Sequence, residues 1–397
     1  MRTRTLSLIA TGALALAACA GPGDPDSSTA GPADDGTGSY SDVEGAQEES
    51  EAQYRLVLAD ASDGSVVVLD LLSEETERID AVDGVQGIRT DGRFAYLQSP
   101  TGTDRVVDSG VWTWDHGDHN HYYRASTRLL DAAVPTGAAA GAFNQPTVVL
   151  DDDAGTATVL DRPALERGEV DGLVTLQDVG GIALAVGDEV LTGARDGDGL
   201  EIHTFDGDVR EVDVACTDPD VGARTRAGLV VGCAEGAALV DPDDWTAELI
   251  AYPEGTPAAE RAVGLEHRPG STVLATLRGE AGAWSLDVRS GTWTPIDAPG
   301  VVAVSAAGEN LPVLVLGADG RLTSYDAITG DPLAETDLVE KVDPDRPTPA
   351  IAIDSARAYV NDATAGVVHE IDYNDDLRVA RTLEVDVTPS LMVETGW

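Results

Sequence analysis

Ser285-Leu286-Asp287-Val288-Arg289-Ser290-Gly291, matched 39 residues later by Ser324-Tyr325-Asp326-Ala327-Ile328-Thr329-Gly330, is the stretch from which the fold can be read. In both copies a short run ends on a large apolar residue, an aspartate follows, and glycine comes four positions later. An aspartate at a strand end can accept backbone N–H bonds in an Asx-turn, so each copy marks a strand that stops and turns into the next. The same pattern of large apolar residue then aspartate recurs at Asp70, Asp108, Asp161, Asp206, Asp241 and Asp372, which makes eight markers in all. Their intervals are 38, 53, 45, 35, 46, 39 and 46 residues, the period of a four-stranded propeller blade. The marker belongs at the end of each blade's third strand.

Between markers the chain is a succession of short Val, Leu, Ile and Ala-rich runs broken by Gly, Asp and Pro, with no long amphipathic helix. The expected fold is therefore all-β: a β-propeller of eight four-stranded blades, with seven as the fallback, over residues 54–397. The first unit, residues 54–82, holds only three strand-like runs, while the run 389–393 near the other end is unassigned. If that run supplies the missing strand, the two ends of the domain complete one blade and no sheet edge stays exposed. A propeller serves enzymes and binding modules alike, so function has to be sought in a site.

Ahead of the repeats, Arg2 and Arg4 precede an apolar stretch over 6–18 that ends in Leu16-Ala17-Ala18-Cys19. This pattern suits an exported lipoprotein, with a signal peptide over 1–18 and acylation of Cys19; the alternative is an ordinary signal peptide with a chance cysteine. The stretch is too short to span a bilayer. Residues 20–53 contain no Lys or Arg and almost no large apolar side chain, so 19–53 reads as a disordered acidic tether. The expected product is a monomer held on the outer face of the cell membrane, touching lipid only through its anchor. With 71 acidic and 25 basic residues the formal charge is −46, which argues against nucleic acid and anionic lipid surfaces as partners. Cys216 and Cys233, 17 positions apart in an exported chain, are expected to form a disulfide rather than a metal or catalytic thiol site.

The longest interval, between Asp108 and Asp161, carries Trp112-Thr113-Trp114-Asp115-His116-Gly117-Asp118-His119-Asn120-His121-Tyr122-Tyr123. Three of the six histidines lie within six positions, in what reads as an insertion between the third and fourth strands of a blade. His119 and His121, at i and i+2, leave an extended segment from one face, about 6–7 Å apart at the backbone. Gly117 allows His116 to bend back toward them, and Asp115 or Asp118 can bind metal or orient an imidazole. Imidazoles and carboxylates without thiolate suit zinc, with copper and nickel as competitors. The flanking aromatics read as packing that anchors the insertion. His369 and His203 each stand three positions before a marker aspartate and read as packed structural histidines, while His267 reads as a loop residue.

The stretches 108–124 (DSGVWTWDHGDHNHYYR), 232–236 (GCAEG), 367–373 (VVHEIDY) and 394–396 (ETG) together resemble the zinc metallochaperone AztD family, specifically at the histidine insertion and weakly elsewhere. Such proteins are exported β-propellers that pass zinc to the solute-binding protein of an ABC-type zinc importer. The resemblance implies Zn2+ binding by His116, His119 and His121, adds His369 as a further ligand, and supports a Cys216–Cys233 disulfide. It also departs in two places. A Leu-His-Gly-Glu-Ala stretch that the family carries after the first cysteine is replaced by Asp220-Val221-Gly222-Ala223-Arg224, and the tether has no histidine. The expected function is zinc capture and delivery without catalysis. Its rival is a zinc-dependent hydrolase with Asp115 or Asp118 as base. No Gly-x-Ser-x-Gly elbow supports a serine hydrolase. The Asp196-Gly197-Asp198-Gly199 turn lacks the remaining ligands of a calcium loop.

Overall fold

Short runs that are apolar at every position, bounded by turn residues, become strands buried on both faces. Leu56-Val57-Leu58 and Val66-Val67-Val68-Leu69 do so in the strands Arg55–Ala59 and Val66–Asp70, each buried along its whole length. The structure, a computed structural model, describes residues 43, 45–100, 102–115, 119–141 and 145–397. These residues form eight four-stranded antiparallel sheets and one three-stranded sheet. The only α-helix among the described residues is Arg162–Arg167, and none of their helices is long and apolar enough to cross a membrane.

The eight sheets follow one another along the chain and close into a propeller ring. Their leading strands touch in turn, Gly87–Thr90 meeting Ala138–Ala140 on one side and Leu391–Thr395 on the other, while Ile351–Ile353 touches Leu391–Thr395 to complete the circuit. The core is correspondingly divided into eight apolar clusters, one at each junction between neighbouring sheets. Ring closure follows the expected route: Leu391–Thr395 pairs antiparallel with Arg55–Ala59, Leu56 opposite Glu394, so the first sheet is built from both ends of the domain.

All eight marker aspartates lie at or just beyond the end of a sheet's third strand, as the spacing predicts. Six accept backbone N–H bonds there; for example, Asp326 Oδ1 accepts from Ile328 and Thr329 at 2.8 and 2.9 Å, and the others are Asp70, Asp108, Asp241, Asp287 and Asp372. The exceptions have local causes. Asp161 instead leads into the helix Arg162–Arg167 and makes no side-chain cap bond, and at Asp206 the turn is held by Thr204 Oγ1, which accepts from the Asp208 amide.

The Cys216–Cys233 disulfide is formed, with Cα atoms 5.0 Å apart. It ties the last strand of the fourth sheet, Val209–Thr217, to Gly228–Cys233 of the fifth. One expectation needs correction. The supposed tether, 19–53, is not disordered to its end: Gln47–Glu49 is a strand of the three-stranded sheet, and Gln53 is buried. Composition misses it because its order comes from backbone pairing to a strand more than seventy residues away, not from apolar side chains.

Candidate metal site on the inserted hairpin

The over-long interval is a β-hairpin inserted between the third and fourth strands of the second sheet. Thr103–Asp108 leads into the hairpin strands Val111–Asp115 and Asn120–Arg124, and Arg128–Pro135 then resumes the sheet. The hairpin register sets Trp112 opposite Tyr123 and Trp114 opposite His121. Because side chains alternate along a strand, these four share one face and form a ladder from a buried foot to an exposed tip. Trp112 is fully buried at its foot and stacks on Tyr123 at 5.2 Å between centroids. Next come Trp114 and His121 at 6.2 Å, and then His119, exposed, with its ring centroid 4.8 Å from that of His121. Trp112 therefore acts as the expected anchor, and the histidines lie at the exposed end of the ladder.

The foot of this ladder is fastened by arginines. Arg93, buried, donates to both oxygens of Asp108 at 2.9 and 3.0 Å, and its guanidinium lies 4.0 Å from the centre of the Trp112 ring. Arg55 donates to Thr127 at 2.9 Å, and Arg124 of the hairpin reaches Asp70 at 3.0 Å. Two marker aspartates, Asp70 and Asp108, thus serve both as turn residues and as anchors for the insertion. Gly110, at φ +73°, turns the chain into the hairpin, and a Cβ there would sit 2.5 Å from the Ala125 carbonyl oxygen. Only glycine fits that corner.

At the outer end, Nε2 of His119 and Nε2 of His121 are 2.9 Å apart, and Nδ1 of His121 is 2.5 Å from Glu48 Oε1. Glu48 comes from Gln47–Glu49, whose pairing puts Glu48 opposite Tyr123 and hence on the ladder face. Burial, and then the Glu48 charge, push the Tyr123 phenol up from its ordinary range. A carboxylate only accepts, so Nδ1 of His121 donates to Glu48, and in the neutral ring Nε2 is left as the acceptor facing Nε2 of His119. A tetrahedral zinc bonded to two imidazoles at 2.0–2.1 Å needs nitrogens about 3.3 Å apart. The pair has to open by only a few tenths of an ångström, with both Nε2 atoms presenting lone pairs.

The structure thus joins His119 and His121, and it adds Glu48, which lay inside the supposed tether and carried no signal in the sequence. Asp115 closes the first hairpin strand, exposed and opposite Asn120. His116, Asp118 and Cys19 lie outside the described residues. Among the described residues no group of three His, Cys, Asp or Glu side chains could hold a metal ion. His369 stands in another sheet, within Val367–Asp372, its side chain 13 % exposed and Nε2 3.8 Å from Asp362 Oδ2. Burial draws its pKa below the ordinary imidazole range against the pull of Asp362. His203 is likewise buried, beside Glu201 at 3.3 Å. His267 is more tightly held than a loop residue, its Nε2 donating to the Arg224 carbonyl at 3.1 Å.

Fold and site together define a β-propeller that displays paired imidazoles on a hairpin added to one blade. No family model matches the chain. Among solved structures, its fold is similar to that of AztD from Citrobacter koseri, with a TM-score of 0.73 at 18 % identity over 87 % of this chain and 98 % of that one. The apo form of the same protein gives 0.74 at 16 % identity with the same coverage. A computationally designed protein, Ika8, gives 0.52 at 18 % identity over 79 % of this chain and 94 % of that one.

Proposed function

We propose that the protein is an exported zinc metallochaperone of the AztD kind, which captures zinc at His119 and His121 and passes it to the solute-binding protein of an ABC-type zinc importer. One observation carries this reading: two Nε2 atoms 2.9 Å apart, with Nδ1 of one ring held by a carboxylate, at the accessible end of an anchored hairpin. Delivery by direct contact requires that an acceptor's ligands reach the metal before the donor's have left. A hairpin tip meets that need better than a sealed core does. The likeness of fold to AztD and the matching histidine stretch support the same reading. His116 is the third ligand in this proposal, Asp118 and Asp115 supply or orient a fourth position, and His369 contributes as the resemblance implies. The start of the chain supports export and anchoring through Cys19 to the outer face of the cell membrane. No enzymatic step is assigned.

The test is chelator competition on the zinc-loaded chain, repeated with His119→Ala combined with His121→Ala. The double variant should lose the tight site, by more than the roughly 100-fold that removal of an orienting partner alone can cost. Retention of parental affinity would refute the assignment. Zinc should then pass to the apo solute-binding protein faster than it dissociates spontaneously into chelator; transfer no faster than that release would count against a chaperone.

A further inference from the structure

We propose that Glu48 is a positioning residue for zinc capture: the Gln47–Glu49 strand acts as a clasp that fixes the tautomer and direction of the His121 imidazole. The inference rests on the zinc reading above and deepens it. An imidazole on an exposed tip can present either nitrogen and rotate about two side-chain bonds. Ligand rings are commonly held by a carboxylate or carbonyl on the second nitrogen, which settles which atom faces the metal. Here Glu48 Oε1 accepts from Nδ1–H at 2.5 Å, leaving Nε2 directed at His119 Nε2.

The source of the carboxylate sets it apart from the rest of the site. Gln47–Glu49 is not part of the hairpin; it pairs with the outer edge of Asn120–Arg124 through three residues, Gln47 with Arg124, Glu48 with Tyr123 and Glu49 with Tyr122. Gln47 and Glu48 are exposed and Glu49 is half-buried. None of its three side chains is apolar. Alternation turns the Glu48 side chain alone of the three toward the ladder face. A segment expected from its composition to be featureless thus delivers one carboxylate to one ring nitrogen.

The test uses the full chain with Glu48→Ala and Glu48→Gln, beside the His119→Ala/His121→Ala pair. Glu48→Ala should weaken zinc about 10–100-fold. Glu48→Gln keeps an acceptor for the Nδ1 proton and should recover most of that loss. Ring 15N shifts of His121 in the metal-free protein supply a readout independent of zinc: a single Nδ1–H form in the parent and a mixture of tautomers in Glu48→Ala. If Glu48→Ala binds zinc like the parent while the histidine pair does not, the positioning role is wrong and the zinc reading stands. If Glu48→Gln is as weak as Glu48→Ala, the carboxylate is itself a ligand and the positioning role is again wrong. If the histidine pair leaves affinity unchanged, the zinc reading falls, and the 15N shifts alone decide whether Glu48 sets the tautomer.

Discussion

Glu394 sits in the strand that closes the ring, 4 % exposed and with no hydrogen-bond partner for its Oε1 among the described residues. Burial pushes its carboxyl well above the ordinary range, and the charge of Asp354 adds to the shift. The folded chain therefore keeps a proton that the unfolded chain releases as pH rises through the usual carboxylate range. Stability from this group is complete below that range and declines as pH climbs from there toward the raised folded value. Glu394→Gln should remove the decline. We expect its melting temperature to exceed the parent's by roughly 2 °C or more at pH 8, with the gain shrinking toward pH 4. An equal displacement at both pH values would mean that the carboxyl does not titrate between them. The histidine pair belongs to this scale as well: one carboxylate, Glu48, lies at Nδ1 of His121 and is the contact that the Glu48 variants test.

The inserted hairpin keeps its place through its foot. Arg93→Met would leave Asp108 buried with only the half-exposed Arg128, at 3.2 Å, to answer its charge. Breaking a buried pair from one side costs about 3–5 kcal/mol, and loss of the guanidinium from the face of Trp112 adds to it. Hydrogen exchange should show the hairpin and the second sheet opening more often than the rest, with weaker zinc binding as the tip loses its footing. Unchanged exchange in the hairpin would remove Arg93 from this role. Opening the Cys216–Cys233 bridge with paired serines should cost about 3 kcal/mol for a loop of this length, roughly 4 °C in melting temperature for a domain of this size. It joins the fourth and fifth sheets, whereas the hairpin leaves the second. Zinc affinity should therefore stay at the parental level, and a drop would reveal coupling around the ring.

Each of the eight junctions holds one apolar cluster, and the one between the last and first sheets includes Met392 of Leu391–Thr395, which pairs with Arg55–Ala59. Removing residues 391–397 would uncover the edge of Arg55–Ala59 and the clusters at two junctions. Such an edge is a template for pairing with other chains. The truncated chain should aggregate on expression and lack a single cooperative melting transition. A soluble, cooperatively melting product would show that the ring closes without its last strand.

The repeat was legible because strand ends and turns are local: an apolar run that stops at aspartate gives the same physics wherever it recurs, so eight markers gave eight third strands. Even the closing strand could be placed, by counting what the first unit lacked. The histidine insertion was legible for a related reason, since its ligand types crowd one short segment. What pairs with what across the ring was not local, and sequence was silent there. Arg55, Arg93 and Arg124 look like any surface arginine until folding sets Asp70 and Asp108 beside them, and Glu48 is one acid among 71 until a three-residue strand meets the hairpin edge. The sequence by itself determined the repeating unit and the place of the histidine-rich insertion within it. Tertiary structure alone decided which carboxylate orients His121, and it set His369 in a different sheet beside Asp362, because such pairings depend on where distant strands meet and no local pattern encodes that.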